Sequence, residues 1–104
     1  MKPIALSSDG PITIYMVPDK VADNLQQYCL EFCNDWLNND PAAAKYRVQF
    51  KDSYCLCYGE DTFIDYLNTF LFPNQLSYEE ERLKDVWPGE ELPEKYHDIP
   101  RFNF

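Results

Sequence analysis

The residues best suited to chemistry in this chain are its four cysteines, which fall in two short stretches, YCLEFCNDWL (residues 28–37) and YCLCYG (residues 54–59). Cys29 and Cys33 are four apart, so on a helix they share one surface. Cys55 and Cys57 are two apart, so on a strand they point to the same face. If that helix packed on that sheet face, four thiolates would converge as a zinc site. The spacing favours a different reading. Structural zinc sites take paired cysteines from short knuckles, C-x₂₋₄-C, whose turns aim both sulfurs at one point. A free cysteine is also a small, readily buried apolar residue. We read the four as packing thiols and keep Cys29, Cys33, Cys55 and Cys57 as the ligand set of an alternative, a zinc-stabilised module. A redox pair would need C-x-x-C or an electropositive setting, and neither is present.

Other candidates are sparse. His97, the single histidine, lies in a proline-rich stretch and reads as a surface residue. No G-x-S-x-G, P-loop, G-x-G-x-x-G or H-E-x-x-H pattern occurs, so no catalytic residue is assigned and no enzyme activity is expected. The acid runs Glu60-Asp61 and Glu79-Glu80-Glu81 would serve acid–base work or bind a cation, but their expected places at helix starts already account for them. Trp87, Tyr96, Phe102 and Phe104 either close the core or form an apolar patch rimmed by acids, which would mark a protein-interaction surface.

These residues must be held by a small body. A chain of 104 residues makes one domain, residues 1–104, and an aromatic content of 16% gives it large side chains for its core. No run approaches the roughly 20 apolar residues of a membrane span, and no leader is evident, so a cytoplasmic protein is expected, with thiols rather than disulfides. The net charge is −9. Residues 59–104 hold eleven acids against four bases, an imbalance that repels nucleic acid and anionic membrane and suits a basic protein partner.

The elements follow from pattern. Residues 4–6 and 12–17 are β-prone around Asp9-Gly10, a hairpin signal. Pro18-Asp19 opens a helix whose apolar positions Val21, Leu25, Tyr28, Cys29, Phe32, Trp36 and Leu37 form one face, ending before Pro41. Residues 46–50 and 54–58 alternate as a second hairpin. A second helix spans 62–72 and stops at Pro73. Ser77-Tyr78-Glu79-Glu80 reads as a capping box starting a short acidic helix to about residue 86. The remainder, with three prolines, reads as an extended tail. The prediction is an α+β fold, β-β-α-β-β-α-α: a mostly antiparallel sheet from both hairpins, two helices on one face, the acidic helix, and the tail.

The combination of YCLEFCNDWL, YGEDTFIDYLNTFLFPNQLS and PEKYHDIPRFNF, from about residue 15 to the end, resembles small proteins carried on conjugative elements and phages of Gram-positive gut bacteria. That group has no assigned catalytic residues, so the resemblance implies an accessory or host-interaction role and no site residue, cofactor or defined partner. The expected function is a non-catalytic protein-interaction factor. The alternatives are an acidic nucleic-acid mimic, using carboxylates such as Glu79, Glu80 and Glu81 to occupy the groove of a restriction or defence enzyme, and the four-cysteine zinc module.

Overall fold

The computed structural model describes all 104 residues. Its chain order is β1 (Lys2–Ser7), β2 (Ile12–Val17), α1 (Asp19–Asp23), α2 (Leu25–Glu31), a π-helical turn (Phe32–Trp36), α3 (Leu37–Asn39), a 3₁₀ turn (Pro41–Tyr46), β3 (Arg47–Phe50), β4 (Ser53–Leu56), α4 (Glu60–Tyr66), a second π-helical turn (Leu67–Leu71), β5 (Tyr78–Leu83), a 3₁₀ turn (Glu94–Tyr96) and β6 (Arg101–Asn103). The fold is α+β, as the sequence predicts.

The first hairpin forms as expected. β1 pairs antiparallel with β2, and Asp9 turns the chain in the left-handed region that short polar side chains tolerate. The predicted long helix is present as the almost continuous run α1, α2, π turn and α3. Its expected face is buried at Val21, Leu25, Cys29, Phe32 and Leu37. It stops at Asp40, whose extended backbone suits the residue before Pro41 and whose carboxylate accepts the Ala42 N–H at 2.8 Å.

Two expectations need correction. The acidic helix is a strand. β5 pairs antiparallel with β2, satisfying an edge that would otherwise be bare. Asn68 enforces the extended start: its side chain accepts the Ser77 N–H at 2.7 Å and donates to the Ser77 carbonyl at 3.0 Å, as a neighbouring strand would. Ser77 is therefore no helix cap, and its local capping pattern loses to tertiary pairing.

The two hairpins also do not share a sheet. The main sheet runs β5-β2-β1-β6, and β3-β4 is a separate two-stranded pair. The place beside β1 is taken by β6, in parallel, so part of the expected tail is a strand. The element order is thus β-β-α-β-β-α-β-β.

The sheet is covered on both faces. Ile4, Leu6, Tyr15 and Val17 meet the helices, and Phe32, Phe63 and Leu67 complete that core. Ala5, Ile12, Ile14 and Leu83 face the other way and are roofed by Val86, Leu92, Tyr96 and Ile99 from the segment between β5 and β6. That segment turns at Trp87-Pro88-Gly89-Glu90. The Glu90 N–H reaches the Trp87 carbonyl at 3.0 Å, and Gly89 supplies the positive φ of 89° that a type II turn needs at its third position. No helix is long and apolar enough to cross a membrane.

Candidate functional site

The aromatic residues of the C-terminal stretch divide. Phe104 lies edge-on to Phe32 at 5.8 Å and against Phe63 at 5.5 Å, and Phe102 packs on Phe104 at 4.9 Å. Tyr96 is buried, with its hydroxyl donating to Glu81 at 2.8 Å. These three close the core. Trp87 is half exposed at the type II turn.

The four thiols do not gather. Cys29 is wholly buried and Cys33 is half-buried, accepting a long hydrogen bond of 3.7 Å from the Tyr58 hydroxyl. Burial raises both thiols above their ordinary range, which keeps them protonated. Cys55 and Cys57 are exposed. The parity of the strand decides this: Leu56 and Tyr58 pack toward the helices, so their neighbours Cys55 and Cys57 face outward. No three His, Cys, Asp or Glu side chains come together as metal ligands, so the alternative zinc set of Cys29, Cys33, Cys55 and Cys57 is not assembled.

The same parity builds an exposed apolar face. Val48 lies opposite Cys55 and Phe50 opposite Ser53, so Val48, Phe50, Cys55 and Cys57 share the outward side of the β3-β4 hairpin. Phe50 is 65% exposed, the most of any large apolar side chain in the molecule. On the inward side Arg47 donates to the Leu37 carbonyl at 2.8 Å and the Tyr54 hydroxyl donates to Asn38 at 2.8 Å, which tie the hairpin to the helix end. Neither strand has a further neighbour, so both outer edges present free backbone groups. Residues 45–58 hold three bases, Lys45, Arg47 and Lys51, against the single acid Asp52, whereas the other 90 residues hold 17 acids and six bases. The hairpin is a positive projection on a negative body.

A second feature lies at the β5 edge of the main sheet. In the β2–β5 ladder Thr13 faces Arg82, Ile14 faces Glu81, and Tyr15 faces Glu79, so Glu80 is the extra residue of a bulge. Residues three apart on a regular strand point to opposite faces. The bulge instead brings Glu79 and Arg82 to one face, where they pair at 2.9 Å. Glu81 is left on the other face, joined to Lys95 at 2.9 Å and to Tyr96; the Lys95 bond, then the Tyr96 bond, holds its carboxyl below the usual range. The Glu79–Arg82 face becomes one wall of a cleft of about 380 Å³. The other wall is the first turn of α4, Glu60 and Asp61. Ser8 fixes this turn by accepting the Glu60 N–H at 2.9 Å while its hydroxyl donates to the Glu60 carboxylate. Tyr15 contributes to the lining. Its ring is in the core and only 6% of the residue is exposed, yet its hydroxyl makes no hydrogen bond within the chain. Burial, then the charges of Glu60, Glu79 and Asp61, raise this phenol far above its ordinary range, so it stays protonated.

The two acid runs singled out in the sequence therefore supply one site through Glu60, Asp61 and Glu79, which local pattern alone does not bring together. The Glu80 bulge and the unpartnered Tyr15 hydroxyl carry no sequence signal of their own. No family model, no curated protein and no solved structure matches the chain.

Proposed function

We propose that this protein is a non-catalytic, cytoplasmic protein-interaction factor, in keeping with an accessory role on a mobile element, and that it docks its partner on the β3-β4 hairpin. The carrying observation is the outward face of Val48, Phe50, Cys55 and Cys57 on a strand pair with two open edges. An extended partner segment adding to either edge would gain main-chain hydrogen bonds and cover apolar side chains on alternate positions. The local excess of Lys45, Arg47 and Lys51 selects a segment flanked by acids, while the acidic body repels nucleic-acid phosphates.

The test is capture from lysate at low and high salt, followed by amide exchange on the isolated complex. A partner that survives high salt, protects the amides of residues 47–56, and is lost on Val48→Ser with Phe50→Ser supports the reading. Retention by the double variant, or an unchanged exchange pattern across the hairpin, overturns it. Both side chains are exposed, so the variant keeps the wild-type melting temperature.

A further inference from the structure

The cleft at the bulged edge is separate from the hairpin and has its own chemistry. Its carboxylates are arranged rather than merely numerous. Ser8 holds one oxygen of Glu60, and the Thr62 N–H engages Oδ1 of Asp61 at 2.9 Å, which leaves Oε1 of Glu60 and Oδ2 of Asp61 without partners in the chain. Glu79 is balanced by Arg82. Between these walls lies the Tyr15 hydroxyl, on a residue more than nine-tenths buried, with a donor and an acceptor that nothing in the chain uses. The ring is enclosed in the core while the hydroxyl oxygen opens into the cleft, so a guest there meets an unused donor and acceptor directly.

We propose that the cleft binds an organic cation, a primary ammonium or guanidinium group seated between Glu60, Asp61 and the phenolic oxygen of Tyr15. Charge-assisted hydrogen bonds to carboxylates are the strong contacts such a group makes, and the neutral phenol adds an acceptor that costs no charge burial. The volume of about 380 Å³ holds more than a bare ion, and the side chains do not assemble a metal's ligand set. Lys84 also lines the cleft, exposed and without an ion pair, so its ammonium competes with the guest. The guest is a basic protein side chain or a free polyamine, which share this chemistry.

The experiment is an NMR titration of the ¹⁵N-labelled full chain with N-acetyl-lysine methylamide, N-acetyl-arginine methylamide and spermidine. Saturable shifts confined to the amides of residues 59–62 and 79–84 and the Arg82 Nε–H are expected. Tyr15→Phe should weaken binding about tenfold, since it deletes one hydrogen bond to a charged group, and Lys84→Gln should strengthen it. Near-UV circular dichroism verifies that Tyr15→Phe remains folded. Tighter binding of spermidine assigns the guest to free polyamines and tighter binding of a blocked residue to protein side chains; either supports the site. Non-saturating shifts spread over the acidic surface, no binding of any probe, or equal affinity in Tyr15→Phe overturns it.

Discussion

Tyr58 illustrates how single side chains in this molecule are tuned by where the backbone puts them. It packs edge-on to Phe32 at 5.7 Å and donates a hydrogen bond to Cys33, and burial first, then that bond, pushes its pKa up to about 12. An unfolded tyrosine ionises near 10. Between these values the unfolded chain has lost a proton that the folded chain keeps, so stability is fully present below about pH 10 and falls as pH rises toward 12. Tyr15, Tyr66, Cys29 and Cys33 are raised for the same first reason, burial, and act in the same direction. Alkaline denaturation followed by circular dichroism should therefore begin near pH 9, where the unfolded thiols ionise, and steepen above about pH 10 as the tyrosines follow. Tyr58→Phe, measured relative to its own stability at pH 8, should lose less between pH 10 and 12 than the parent; an identical slope would remove Tyr58 from the account. At this scale the sequence is informative where periodicity governs, since Phe32 and Cys29 are expected on the buried stripe and are there. It is silent on Cys33 meeting Tyr58, because that pairing crosses 25 residues of chain.

Elements differ in how much of their conformation is local. The helix over residues 19–39 is written in its own apolar period and in Pro41, and the β3-β4 hairpin in its alternation, so both are legible. β5 is not. Its residues YEEERL lack alternation, and a serine three residues before an acid imitates a helix start. What makes it a strand is β2 on one side and Asn68 at its beginning. Asn68→Ala should cost about 1–3 kcal/mol, because it strips two hydrogen bonds from part-buried backbone. Amide exchange should show the loss as faster opening of residues 78–83, with β1 still protected; uniform acceleration across the sheet, or none, would mean that β5 holds itself. The cleft shares this dependence. Its acids are visible in the text, but their convergence needs the Glu80 bulge, which exists only as a mismatch between two strands.

At the scale of the whole molecule, residues 101–104 bind the parts together. β6 lies beside β1, Phe104 enters the aromatic core, and the Phe104 N–H reaches the Ser7 carbonyl at 2.8 Å. Asn103 accepts from the Ser7 hydroxyl and the Asp9 N–H and donates to the Asp9 carboxylate, locking the first hairpin turn. Deleting residues 101–104 should lower stability by more than about 3 kcal/mol, the scale of one lost core aromatic. A denaturant midpoint close to that of the full chain would show the closure to be ornamental. Sequence reading recognises these aromatics as anchors along the body but not the strand, since parallel pairing with the first element leaves no local trace.

That closure has a bearing on how the protein is made. Ser7 and Asn103 stand 96 positions apart, yet each completes the other's surroundings. A ribosome delivers β1, β2 and both helices long before residue 104, so the growing chain must carry Phe32 and Phe63 with one side of their pocket missing and β1 with one edge bare. Such an intermediate is sticky, and its remaining contacts have the widest sequence separation, which slows their formation. Folding is therefore expected to finish only after residues 101–104 have emerged, with chaperone demand set by the interval before Phe104 can reach its pocket.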